Sequence, residues 1–70
     1  MVGILIHLGN RPDIIFEDGT IYGGLHCGEC FEVHHNHWIS VRLEYTDNWV
    51  LVSNTKVYPI CYGLRVRMPV

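Results

Sequence analysis

Seventy residues hold one small domain at most, too few for a two-domain enzyme or a doubly wound nucleotide-binding fold. With 49% hydrophobic and 17% charged residues, the chain belongs among globular rather than disordered sequences. Five Lys or Arg face seven Asp or Glu, a formal net charge of -2, which excludes both a general nucleic-acid binder and a heavily acidic DNA mimic.

In chain order, Val2, Ile4, Ile6 and Leu8 alternate and predict a first strand over Val2 to Leu8. Gly9 to Asp13 breaks it. Ile14 to Glu17 and Thr20 to Tyr22 flank Asp18-Gly19, a type I′ hairpin signal. Gly23-Gly24 ends that unit, and Leu25 to Cys30 reads as an irregular approach with a turn at Gly28-Glu29. Phe31 to Val33 and Trp38 to Tyr45 alternate, and Asp47-Asn48 turns the chain into Trp49 to Val52. Ser53 to Lys56 reads as loop, Val57 to Cys61 as a short extended piece with Pro59 at an edge, and Leu64 to Met68 as a last strand. Ala is absent and no helical stripe is sustained. The expectation is all-β: one domain over 1–70, a small SH3-like barrel of five to seven short antiparallel strands.

Register sharpens this. Phe31, Val33, Ile39, Val41 and Leu43 should face inward, so Phe31 must oppose Val41, and Val33 must oppose Ile39. That requires a three-residue tip, His35-Asn36-His37, with His34 opposite Trp38 and Glu32 opposite Ser40. The outer face becomes Glu32, His34, Trp38, Ser40, Arg42 and Glu44. On the last strand, Leu64, Val66 and Met68 point in, and Arg65 and Arg67 point out. A two-residue turn at Asp47-Asn48 places Trp49 outside; a three-residue turn from Thr46 places it in the core, the favoured alternative because large aromatics fill such barrels.

Three blocks carry a resemblance: Leu25-His26-Cys27-Gly28-Glu29 with Glu32; Trp38, Arg42, Glu44, Trp49, Leu51 and Val52; and Gly63-Leu64-Arg65-Val66-Arg67. Together they resemble a family of short bacterial proteins without an assigned activity, often carried on phages and other mobile elements. The resemblance covers about residues 19 to 67. It implies an SH3-like layout and a mobile-element setting. Cys30 and the run His34-His35-Asn36-His37 lie outside the family pattern, and Val50 stands where an aromatic is usual.

Four constellations bear on chemistry. Cys27-x-x-Cys30 followed by His35 has the first three ligands of a zinc knuckle; Ser40 stands in the fourth place, leaving His37 or Cys61 as substitutes. The competing reading is a pair of thiols and a solvated loop, with no cofactor. Cys27 beside His26, with Glu29 near, has the residue types of an activated nucleophile. Adjacent side chains on extended backbone point apart, however, and so small a chain has little room for a cleft. The favoured alternative is structural: Leu25 and Cys27 plug one barrel end, His26 bonds to backbone and Gly28 makes the turn. Thirdly, Trp38, Arg42 and Glu44, with Glu32 and Arg65, form an outward strip of the residue types that dominate binding hot spots. The bland version has Arg42 pair with Glu32 or Glu44 and cover Trp38. Finally, five histidines, three of them in one loop region, invite a pH switch, against which stands simple solvation.

The functional expectation is a non-enzymatic protein-binding module with Trp38 as anchor and Arg42 and Glu44 as orienting charges. The family resemblance implies an accessory protein that inhibits a host defence complex by occupying its surface, as anti-CRISPR proteins do. The alternatives are a zinc-stabilised module and single-stranded nucleic-acid binding on the Trp38–Arg42 face. Neither a signal peptide nor a spanning segment is visible, so the expected location is the bacterial cytoplasm, with no membrane partner. Small barrels also commonly pair through an edge strand, which adds a homodimer to the expected partners.

Overall fold

Turn chemistry lays out the chain in the computed structural model, which describes residues 1–69; Val70, the end of the expected 1–70 domain, lies outside the described residues. Strand β1 (Val2–Leu8) returns through Gly9-Asn10 into β2 (Arg11–Phe16), with Leu8 opposite Arg11. Gly9 has φ 67 and Asn10 a negative φ, the pattern of a type II′ turn. The break is therefore two residues long, and Arg11, Pro12 and Asp13 belong to β2. Pro12 is tolerated because β2 ends the sheet. Its carbonyl accepts from Leu25 N–H at 2.9 Å, so its nitrogen also points away from β1 and no ladder bond is lost.

The Asp18-Gly19 turn forms, but not as type I′. Gly19 N–H donates to the Phe16 carbonyl, Phe16 N–H donates to Thr20, and only Gly19 has positive φ, at 87. This is a three-residue loop built on a type I turn with a glycine bulge. Thr20 to Tyr22 is not a full strand; only Ile21 bridges Ile15. Instead the 20–25 segment runs along the free edge of β2. Asp13, only 4% exposed, holds it there through Oδ1, which accepts from Gly23 N–H and Ile14 N–H.

Strands β3 (Cys30–His35), β4 (His37–Tyr45), β5 (Trp49–Val52) and β6 (Val57–Pro59) form a meander. The expected register holds: Phe31 opposes Val41, Val33 opposes Ile39 and His34 opposes Trp38. Asn36 supplies the tip with φ 64, a left-handed conformation that asparagine tolerates better than most residues. Tyr45 opposes Trp49 across a three-residue turn, which puts the half-buried Trp49 on the core face with Leu51. Strand β7 (Arg65–Arg67) then inserts between β1 and β3, giving one antiparallel sheet of order β2-β1-β7-β3-β4-β5-β6.

The fold is all-β, as expected, with no helix among the described residues. The sheet curls around one core, fed by Leu5, Ile14 and Phe16 from one end, Phe31, Val33, Val41, Leu43 and Leu51 from the other, and Leu25 and Val66 between. Each such side chain contributes roughly 1.5–3 kcal/mol by leaving water. On β1 the buried face is the one carrying Gly3 and Leu5, whereas Ile4 and Leu8 are exposed. Gly3 explains this choice, because a Cβ there would lie 2.5 Å from the Ile15 carbonyl oxygen. No helix among the described residues is long and apolar enough to cross a membrane.

Candidate binding face

Strict alternation on β3, β4 and β7 turns one row of polar and aromatic side chains outward. Glu32 opposes Ser40 on one side and Arg67 on the other, and His34 opposes Trp38. The Arg67 guanidinium lies over the Trp38 ring, 4.2 Å from its centroid, and its Nε–H donates to Glu32 Oε1 at 2.8 Å. Arg65 stands 6.0 Å from the same ring. His34 meets the indole in an edge-on arrangement at 5.2 Å. The half-buried Trp38 is thus held by three neighbours on a regular ladder. The Arg67 hydrogen bond also draws the Glu32 carboxyl below its usual titration range.

This corrects part of the expected strip. Trp38, Glu32 and Arg65 come together, but the cation on the indole is Arg67, not Arg42. Four residues along β4 separate Trp38 from Arg42 by about 13 Å. Arg42 instead donates to Glu44 on its own strand, as an exposed ion pair. The expected site therefore splits into a compact cluster around Trp38 and a satellite pair. Arg67 was legible as outward, but its reach over Trp38 depends on β7 lying beside β3, which no local pattern reports. A shallow polar hollow of about 390 Å³ continues from Trp38 past Ser40 to Asn54 and Lys56 of the β5–β6 loop.

The Leu25-to-Glu29 block is built differently. Glu29 N–H donates to the His26 carbonyl, Gly28 N–H donates to Leu43, and Leu43 N–H donates to the Glu29 carbonyl. With Gly28 at φ 84, this is a type II turn fused to a glycine bulge opposite Leu43, and both halves call for the same positive φ. Leu25 plugs the core. Cys27 does not; it is exposed at the corner of the turn. The His26 ring bonds to a side chain rather than to backbone: its Nδ1 accepts from Arg11 at 3.2 Å, while Arg11 also donates to the Leu25 carbonyl. Glu29 accepts from His26 N–H and from the Tyr22 hydroxyl, which keeps that phenol protonated beyond its usual range. His26 is thus engaged by Arg11, and Glu29 by Tyr22 and the turn.

The zinc ligand set is not assembled. Cys30 and His35 mark opposite ends of β3, about 16 Å apart along the strand. His35 and His37 oppose each other at the β3–β4 tip, away from Cys27 and Cys30, and among the described residues no three His, Cys, Asp or Glu side chains are grouped to hold a metal.

A family model, the domain of unknown function DUF5348, matches residues 4–68. The chain belongs to this family. All three sequence blocks fall within the matched span. The chain is also similar to a protein from Ruminococcus gnavus with a crystal structure, at 44% identity over 97% of this chain and 100% of that one, with a TM-score of 0.83. No curated protein matches.

Proposed function

We propose that this DUF5348 chain is a non-enzymatic binding module that engages a protein through the outer β7–β3–β4 face. One observation carries the reading: Trp38 stands on a strand paired on both sides, with Arg67 stacked on its ring and Glu32 hydrogen-bonded to Arg67. Ordering an anchor before contact removes part of the entropic cost of association. Aromatic and arginine side chains at the centre of a patch are the usual energetic anchors. The Arg42–Glu44 pair extends the face as an orienting rim. Surface occupation of a host defence complex, the role the mobile-element resemblance implies, is one instance of this binding and uses the same face.

The test is capture of partners from the native host with tagged wild-type, Trp38→Ala and Arg67→Ala chains. The expected result is a defined protein lost from both variants. A capture pattern identical for all three chains overturns the reading. Binding of mixed-sequence single-stranded oligonucleotides at low salt, abolished by Trp38→Ala, would replace it with the nucleic-acid alternative. One zinc per purified chain, with unfolding on chelation, would replace it with the metal alternative.

A further inference from the structure

Resting on that reading, we infer the partner chemistry: the Trp38 face takes an extended acidic peptide segment. The chain is acidic overall, yet its cations are unevenly placed. Three of its five Lys and Arg, namely Arg65, Arg67 and Lys56, surround Trp38. Two carboxylates of the outer face are paired among the described residues: Glu44 with Arg42, away from the indole, and Glu32, which engages only Nε of Arg67. The two terminal nitrogens of Arg67, and the whole Arg65 guanidinium, make no hydrogen bond or ion pair among the described residues. Glu17 lines a separate depression over β1 and β2 together with Arg65, without pairing with it.

Geometry narrows the ligand. Arg65 and Arg67 occupy alternate positions of β7, so their side chains leave the sheet about 7 Å apart. An extended peptide carries carboxylates at alternate residues with the same spacing. A guanidinium fork receives a carboxylate through two parallel hydrogen bonds, and stacking on Trp38 pre-orients the Arg67 fork without consuming it. Base stacking is less well served, because Arg67 covers one face of the indole and His34 meets the ring edge-on. Lys56, across the polar hollow, adds a third cation at the rim.

The test is a titration of the ¹⁵N-labelled full chain with a short peptide of alternating Glu and Thr, the matched Lys-Thr peptide and a mixed-sequence single-stranded DNA. The expected result is amide shifts at Arg65 to Arg67 and a shift of the Trp38 indole N–H with the acidic peptide alone. These should weaken about tenfold in Arg65→Glu and fade as salt rises. Arg65→Glu breaks no hydrogen bond or ion pair among the described residues, only the 6.0 Å approach to the Trp38 ring, and a well-dispersed amide spectrum reports its folding. No shift with the acidic peptide, or an equal response to the Lys peptide or the DNA, overturns the inference. The parent reading fails separately. A captured host protein lost on Trp38→Ala but kept on Arg65→Glu sinks the acidic-segment inference and leaves the binding module standing. A protein kept on both sinks the module itself.

Discussion

The corner at Leu25 to Glu29 and the face around Trp38 are positioned in opposite ways. At the corner, backbone does the positioning: Gly28 satisfies a turn and a bulge with one left-handed φ, and the side chains of Glu29 and Arg11 tie the loop to itself. At the face the backbone is plain ladder, and position comes from which side chains meet across β7, β3 and β4. The corner is a structural device that fixes where β3 begins. At the face the side chains of Trp38, Arg67 and Glu32 hold one another above plain ladder backbone.

Substitutions should separate the two. Leu25→Ala removes a fully buried plug and should cost about 3 kcal/mol, read as a lower denaturation midpoint with an unchanged slope. Gly28→Ala forces a Cβ into the left-handed region and should cost about 1–2 kcal/mol, although nothing lies within 4 Å of the new atom. The cost would therefore be conformational rather than steric. If Gly28→Ala proves neutral while Leu25→Ala does not, the corner is held by packing and the contrast collapses.

At the face the effects should be smaller and electrostatic. The Glu32 carboxyl, hydrogen-bonded by Arg67, titrates below its usual range in the folded chain. A depressed folded value means that its stabilising contribution is complete above the ordinary glutamate range. It is lost as pH falls through the folded value. In ¹³C-detected NMR, Arg67→Gln should raise the Glu32 midpoint towards that of a free glutamate. A midpoint that stays low would assign the shift to another neighbour. Smallest of all, Arg42→Ala should leave stability within about 0.5 kcal/mol, since Arg42–Glu44 is an exposed pair.

How far each region could be read from sequence follows from the same contrast. The β3–β4 register was legible because Phe31, Val33, Ile39, Val41 and Leu43 restrict the pairing to registers that face both sets inward, and the short His35-Asn36-His37 tip is the one that opposes Phe31 to Val41. The three-residue turn at Thr46 to Asn48 was one of two readings, and the register of Tyr45 against Trp49 decides it. The inward face of β1 was not legible. Val2, Ile4, Ile6 and Leu8 look like a core stripe, and only the close approach of β2 to Gly3 reveals that the other face is buried. The Asp18-Gly19 signal gave the right turn site and the wrong turn type, because one added loop residue shifts glycine from a type I′ position to a bulge. Trp38 was legible as outward; its partner was not. Arg42 is near Trp38 in sequence, whereas Arg67 reaches it through a strand pairing between distant parts of the chain.

The strand that supplies Arg65 and Arg67 follows the other six in chain order, yet it sits inside the sheet, stitching the β1–β2 hairpin to the β3–β6 meander. Until β7 pairs, those two halves share no ladder among the described residues, and the contact of β1 with β7 must close a loop of about 60 residues. Nascent or truncated copies would therefore carry Trp38 without its stacked cation. Recognition by this surface would thereby report that the two halves of the sheet have closed on β7.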